Sequence, residues 1–266
     1  MEKLYSDARR EREEIYTISE NVTTIGESAF CDCPGLKEII VSEENANYSS
    51  LDGVLFDKDK TVLIQYPPAK SGNYFIPTNV INIGEGAFLD CTGLTNITIP
   101  DRVEYIGDWA FGFCAKLPHA TIPNCVKTIG DYAFVLCTGL TSVIIPNSVT
   151  NIGESAFRGC TGLTSVIISN NVISIKENAF RGCTNLEKFT IPNSVTNIEK
   201  DAFANCTGFK EIHSLNPIPP VVGMNGFSGI NKTTCKSYIP KGSLSKYRSA
   251  SGWRDFINII EKDIKE

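Results

Sequence analysis

No apolar run in this 266-residue chain approaches the roughly 20 residues that a membrane-spanning helix needs. Lysine and arginine form no cluster interleaved with aromatics, and the formal charge is −5 with a pI near 5.3. That balance argues against a nucleic-acid surface. Histidine is scarce, with only His119 and His213, both at variable positions. There is no Gly-x-Ser-x-Gly, no His-Glu-x-x-His and no phosphate-binding glycine-rich loop. Carboxylates are plentiful, but no spacing marks a pair as placed for acid/base work. The first 14 residues are strongly charged and lack the apolar stretch of a signal peptide. The chain is therefore either cytosolic or a mature form whose export signal has been removed. Hydrophobic residues make up 42%, enough for a sizeable core and too many for disorder.

What is present is a repeat. From Ile76 to His213 the chain repeats every 23 residues, with further units starting at Ile99, Ile122, Ile145, Ile168 and Ile191. One more copy runs from Ile18 to Ile40, which makes seven. An Ala-Phe pair recurs in all seven, ending in Phe30, Phe88, Phe111, Phe134, Phe157, Phe180 and Phe203. A valine precedes each (Val22 to Val195), an isoleucine lies three residues after that valine, and a Cys-x-x-Leu step follows, with Phe209 replacing Leu in the last copy. Apolar residues at fixed phase mean that each copy is one turn of a coil. A single turn cannot bury its apolar side alone, but stacked turns bury one another's. The segment Leu163, Val166, Ile168 is rich in β-branched residues and partly alternating, so it reads as a strand. Strands of successive turns then stack in parallel about 4.8 Å apart. Proline after the strand, as at Pro146, ends the ladder. The glycine of Ile-Gly (Gly26, Gly84, Gly107, Gly130, Gly153) suits a turn of unusual φ/ψ. The Ala-Phe step reads as a short helical or 3₁₀ turn that drops Phe into the core.

The pattern Ile-Pro-x-x-Val-x-x-Ile-Gly-x-x-Ala-Phe-x-x-Cys-x-x-Leu resembles the BspA-like leucine-rich repeats, a bacterial subtype, over residues 18–213. Thirty-five extra residues, 41–75, separate the first two copies. Within them Gly53–Phe56 and Thr61–Ile64 flank Asp57-Lys58-Asp59-Lys60, a hairpin with a polar turn. Asp57 and Asp59 hint at a metal loop, but the rest of a calcium pattern is missing, so a plain turn is the better reading. The hairpin is similar to insertions that BspA-like proteins carry. After Ser214 the period fails. Ser237–Pro240 still reads as a strand, and Leu244, Tyr247, Trp253, Phe256, Ile257 and Ile260 follow at near-helical spacing. These aromatics read as a cap over the last turn, and their pattern resembles the C-terminal cap of BspA-like surface proteins.

The expected fold is thus a right-handed leucine-rich-repeat solenoid, α/β in class but strand-rich. It has seven 23-residue turns of parallel stacked strands at 18–213, a hairpin insertion at 41–75 and a C-terminal cap at 214–266. Residues 1–17 are expected to be an N-terminal cap, helical in form, or a non-native remnant.

Seven of the ten cysteines share one repeat position: Cys33, Cys91, Cys114, Cys137, Cys160, Cys183 and Cys206. Zinc needs ligands around one point, whereas these lie along a line. They read as small buried residues with free thiols, each offering a weak S–H donor to the backbone. No residue set is assigned to catalysis, to a cofactor or to a metal. The expected contact surface is the concave strip of variable strand positions: Asn96, Thr98, His119, Thr121, Ser142, Ile144, Ser165, Ile167, Lys188 and Thr190. Its centre is small, neutral and mildly apolar, and it has no aromatic platform for sugars. That suits a protein or peptide partner better than a glycan, a nucleic acid or an anion. The family resemblance implies a secreted or cell-surface location and adhesion to host or matrix proteins. A structural spacer and a carbohydrate-binding module are the readings of other classes, and an enzyme is more remote.

Overall fold

A computed structural model of the chain describes residues 2–4, 14–26, 29–30 and 33–263. Among them the architecture is a stack of strands with almost no helix. One row of strands holds eleven members: Ile15–Ile18, Glu38–Val41, Gly72–Phe75, Leu94–Thr98, His119–Thr121, Ser142–Ile145, Ser165–Ile168, Lys188–Ile191, Glu211–Ser214, Lys236–Pro240 and Asn258–Lys262. Every paired neighbour in this row is parallel. A second row of two-residue strands, Asn82–Ile83, Tyr105–Ile106, Thr128–Ile129 and Asn151–Ile152, is also parallel, and it resumes at Ser174–Ile175. The solenoid expected from the period is therefore present, but with about eleven turns in place of seven.

The additional turns lie in segments whose sequence had lost the period. In the tail, Lys236–Pro240 pairs with Glu211–Ser214 and then with Asn258–Lys262, both parallel. Within the insertion, Gly72–Phe75 pairs parallel with Leu94–Thr98. The stacked phenylalanines show the same continuity. Phe88, Phe111, Phe134, Phe157, Phe180 and Phe203 stack ring on ring at 4.9 to 5.6 Å between centroids. Tyr66 adds one rung before Phe88 at 5.1 Å, and Phe227 one after Phe203 at 5.9 Å. Trp253 meets Phe227 edge-on and ends the series.

The insertion does more than decorate. Val54–Asp57 pairs antiparallel with Val62–Gln65, as the hairpin pattern predicts, and also with Tyr48–Leu51. Val62–Gln65 then joins Asn82–Ile83 in parallel and so becomes part of the second row. Val54 and Phe56 point into the main core, while Leu55 between them points into a smaller core built on Ile18, Val22, Phe30, Leu36 and Ile39. Because side chains alternate across a strand, this one element seals two cores. Its uninterrupted apolar run follows from burial on both faces. Asp57 holds the turn: its carboxylate accepts from Thr61 Oγ1 at 2.6 Å and from the Val62 amide at 2.8 Å.

Three local expectations are corrected. The Ala-Phe step is a turn and not a helix, because residues on both sides of it take left-handed φ (Trp109 at 57° and Phe113 at 61°, for example). The Phe amide donates outward to the next turn, as Phe111 N–H does to the Ala133 carbonyl at 2.7 Å, while the Ala amide closes the local turn, as Ala110 N–H does on the Gly107 carbonyl at 3.3 Å. The Ile-Gly glycines are required by close approach and not by φ. A β-carbon on Gly153 would lie 2.4 Å from the Gly130 carbonyl carbon of the preceding turn. Among the described residues of the tail only Leu244–Ser249 is helical, whereas Ile257 and Ile260 are exposed and Ile260 lies in a strand. Tyr247, Trp253 and Phe256 are buried, as a cap requires. Of the expected N-terminal cap at 1–17, the described residues are not helical: Glu2–Leu4 is a strand parallel to Val22–Ile25 and Ile15–Ile18 is a strand of the row, while residues 1 and 5–13 lie outside the described residues.

Candidate functional site

The outer face of the strand row is built by alternation. In Ser142–Ile145, Val143 and Ile145 go inward and are fully buried, which leaves Ser142 and Ile144 outward. Ser165–Ile168 repeats this in register, pairing Ser142 with Ser165 and Ile144 with Ile167. His119 and Thr121 join the same three-stranded sheet opposite Ser142 and Ile144. All ten strip residues lie on the outer face: Ser142 and Thr190 are half-buried, and the other eight are exposed. They do not sit on one continuous sheet. Asn96 and Thr98 belong to a two-stranded sheet before the central one, and Lys188 and Thr190 to a four-stranded sheet after it.

Ile144 is 62% exposed and Ile167 56%. Two β-branched apolar side chains therefore stand side by side in water, where a threonine would serve the strand equally well. The flanking threonines are less available. Thr141 Oγ1 donates to the Pro118 carbonyl at 3.0 Å, and Thr164 Oγ1 to the Thr141 carbonyl at 3.1 Å. Charge gathers beyond the centre, where Lys210 pairs with Glu187 at 2.6 Å. His213 Nε2 bonds Glu211 at 2.9 Å and holds that carboxyl below its ordinary pKa.

Register adds residues that the repeat count missed. Phe75 stands opposite Thr98 and is 69% exposed. Tyr238 and Ile260 continue the line past Thr190 and His213. The signal was available in the sequence, because Phe75-Ile76-Pro77 and Tyr238-Ile239-Pro240 share the x-Ile-Pro phase of Thr98-Ile99-Pro100.

From Cys91 onward the cysteine ladder offers no reactive centre. Its thiols there are free, and those of Cys114, Cys137, Cys160, Cys183 and Cys206 each donate to the carbonyl of the preceding turn's phenylalanine at 3.0 to 3.2 Å. Burial pushes Cys137 and Cys206 up to about 12, so the thiolate that nucleophilic chemistry needs is suppressed. Among the described residues no group of three or more His, Cys, Asp or Glu could hold a metal ion. None of their helices is long and apolar enough to cross a membrane.

A stack of short parallel turns with leucine, phenylalanine and cysteine at fixed inward positions defines a leucine-rich-repeat protein. The BspA-type leucine-rich repeat model matches six copies, over residues 11–62, 69–185 and 127–236, and the chain belongs to that family. No curated protein sequence matches it. Among solved structures it is similar to the pneumococcal vaccine antigen PcpA, at 26% identity and a TM-score of 0.67, covering 94% of this chain and 56% of that one. A leucine-rich repeat protein from Eubacterium ventriosum matches at 25% identity and a TM-score of 0.59, over 82% of this chain and 59% of that one. The leucine-rich repeat protein of T. pallidum shares the fold at 23% identity and a TM-score of 0.57, over 74% and 91%. The chain thus spans well under two thirds of the first two.

Proposed function

We propose that the chain is a non-catalytic protein-binding module that works outside the cell or on its surface, in adhesion to a host or matrix protein. The contact surface is the strip Asn96, Thr98, His119, Thr121, Ser142, Ile144, Ser165, Ile167, Lys188 and Thr190, carried by residues 18–213. Residues 214–266 close the stack behind it. The observation that carries this reading is the exposed Ile144–Ile167 pair, which is in register on strands whose inward positions are already filled. The pair adds nothing to the core and is unfavourably hydrated, which points to a partner that covers it. Similarity to a vaccine antigen supports a surface location. Suppressed ladder thiols support a role without chemistry.

The test is capture of extracellular-matrix and serum proteins by the purified chain, with Ile144→Asp/Ile167→Asp as control. The expected result is a saturable partner that the double variant loses while its melting temperature stays within a few degrees. Absence of any saturable partner at micromolar concentration would favour a structural spacer. A large fall in melting temperature would show that the two isoleucines are core residues.

A further inference from the structure

On the turn side of the coil, two positions in each repeat from Ile76 onward take left-handed φ. In most turns these hold residues that tolerate it: Gly86, Ser155, Asn178 and Asp201 at the first, and Asp90, Gly159, Gly182 and Asn205 at the second. In two consecutive turns they hold Trp109 and Phe113, then Tyr132 and Leu136, with φ between 55° and 61°. Bulky side chains are rare there because the β-carbon crowds the backbone. Four such residues gathered on one surface are a strained arrangement that folding does not require, since neighbouring turns form without it. Strain concentrated in this way marks a functional patch.

The patch has a definite shape. Trp109 stacks on Tyr132 at 4.3 Å with planes 7° apart, and Phe113 lies 6.5 Å from Trp109 with its plane 10° away. The position that carries Trp109 and Tyr132 is Gly86 one turn before and Ser155 one turn after, so the stack continues into no further ring. Phe113 and Leu136 are more than a third exposed. Beyond Leu136 the same row becomes Gly159 and Gly182, which leaves a trough. A β-carbon on Gly159 would strike Leu136 Cδ2 at 2.6 Å, and one on Gly182 would meet only open space out to 3.8 Å. Arg158 and Arg181 border the trough, and a cleft of about 310 Å³ joins them to the aromatics. Neither guanidinium has a carboxylate partner among the described residues, although Arg181 donates to Asn178 Oδ1 at 3.2 Å. Three acids of the adjacent row, Asp108, Asp131 and Glu177, are engaged elsewhere. Asp108 accepts from the Asp131 amide at 2.8 Å, Asp131 from the Glu154 amide at 2.7 Å, and Glu177 pairs with Lys200 at 2.7 Å.

We propose that Trp109, Phe113, Tyr132, Arg158 and Arg181 form a binding site for an acidic polysaccharide, a hexose polymer bearing uronic-acid carboxylates. Trp109 and Tyr132 cover one another, so the ring face left for a pyranose to pack on is that of Trp109 on the side of Gly86, where the preceding turn carries no side chain. Arginines one and two turns further on, about 5 and 10 Å along the stack, present paired N–H donors of the geometry a carboxylate accepts. The Leu136 side chain lies over Gly159, and the open floor beyond it at Gly182 admits a polymer. The site shares no residue with the strand strip, so it stands or falls independently of the partner proposed there.

The test is titration of the whole chain with an oligogalacturonate hexamer. Of its two tryptophans Trp253 is fully buried and Trp109 half-buried, so a change in tryptophan emission reports Trp109. The expected result is a saturable change that weakens with salt and weakens roughly tenfold or more in Arg158→Gln/Arg181→Gln. Calorimetry on Trp109→Gly, which installs the residue found at position 86, should show binding lost with the melting temperature nearly unchanged. Three results would overturn the proposal. Maltohexaose binding as tightly would remove the role of the arginines. Hexaglutamate binding as tightly would make the site a docking patch for acidic peptide. No saturation by about 1 mM would leave no site of useful affinity.

Discussion

Replacing Phe157 by alanine tests the stacking directly. Phe157 is wholly buried between Phe134 at 5.3 Å and Phe180 at 5.4 Å, with all three rings within 5° of parallel. Truncation withdraws roughly 150 Å² of apolar surface, worth about 4 kcal/mol at ~25 cal/mol per Å². Two ring contacts disappear as well, each worth about 0.5–1.5 kcal/mol beyond its area. Partial collapse of the neighbours gives some of this back, which places the loss at about 3–5 kcal/mol. The hydrogen bond from the Cys183 thiol to the Phe157 carbonyl is untouched, so the loss belongs to the ring. Urea unfolding followed by circular dichroism measures it, with Phe157→Leu as a milder control at about 1.5 kcal/mol or less. A cost below about 1 kcal/mol for the alanine variant would mean that the rings do not carry the stack.

Gly153→Ala puts a β-carbon 2.4 Å from backbone in the preceding turn, and chemical denaturation should show a loss of about 1–3 kcal/mol; an unchanged midpoint would mean the turns are less closely apposed. Tyr247 donates to Ser214 Oγ at 2.7 Å or to the Asn216 carbonyl at 2.6 Å. Tyr247→Phe strands buried acceptors and should cost about 1–3 kcal/mol by thermal melting, whereas a neutral effect would place water at the hydroxyl. Alkaline pH should destabilise the fold. Burial holds Cys137 and Cys206 up to about 12, while unfolded thiols ionise near ~8.5. Above that pH the unfolded chain binds fewer protons than the folded one. Stability is therefore full below it and falls as pH rises towards 12. Melting temperature measured against pH should decline less steeply when Cys137 and Cys206 are alanine, and an identical slope would refute the linkage.

Core and strand positions were legible because burial repeats them. Val166, Ile168, Phe157 and Cys160 are inward for the reason their phase suggested. Turn chemistry was harder to read. At Gly153 the demand comes from another turn 23 residues away, which no local φ/ψ rule can see. The turns in the insertion and tail stayed hidden because Tyr66 and Gly226-Phe227 replace the Ala-Phe pair, although their rings occupy the same stack. The outward placement of the strip's ten residues was legible from strand alternation, and that of Phe75 and Tyr238 from the x-Ile-Pro phase they share with Thr98, although both stand outside the counted copies. Trp109, Phe113 and Tyr132 stood at variable positions, and only their backbone φ sets them apart.

The spacing of the outward row sets a rule for whatever lies along it. From Thr121 to Ile144 to Ile167 the row offers one side chain per turn, about 4.8 Å apart. An extended polypeptide laid lengthwise presents same-side residues about 6.7 Å apart. Two rulers with those divisions drift out of step after a single mark and coincide again only after about seven turns, the reach of a long segment of this molecule. An elongated strand could therefore never match the row residue for residue. If the proposed contact strip is right, its partner brings a compact, pre-shaped bump across a few turns, and adding or removing turns would move that footprint without changing its pitch.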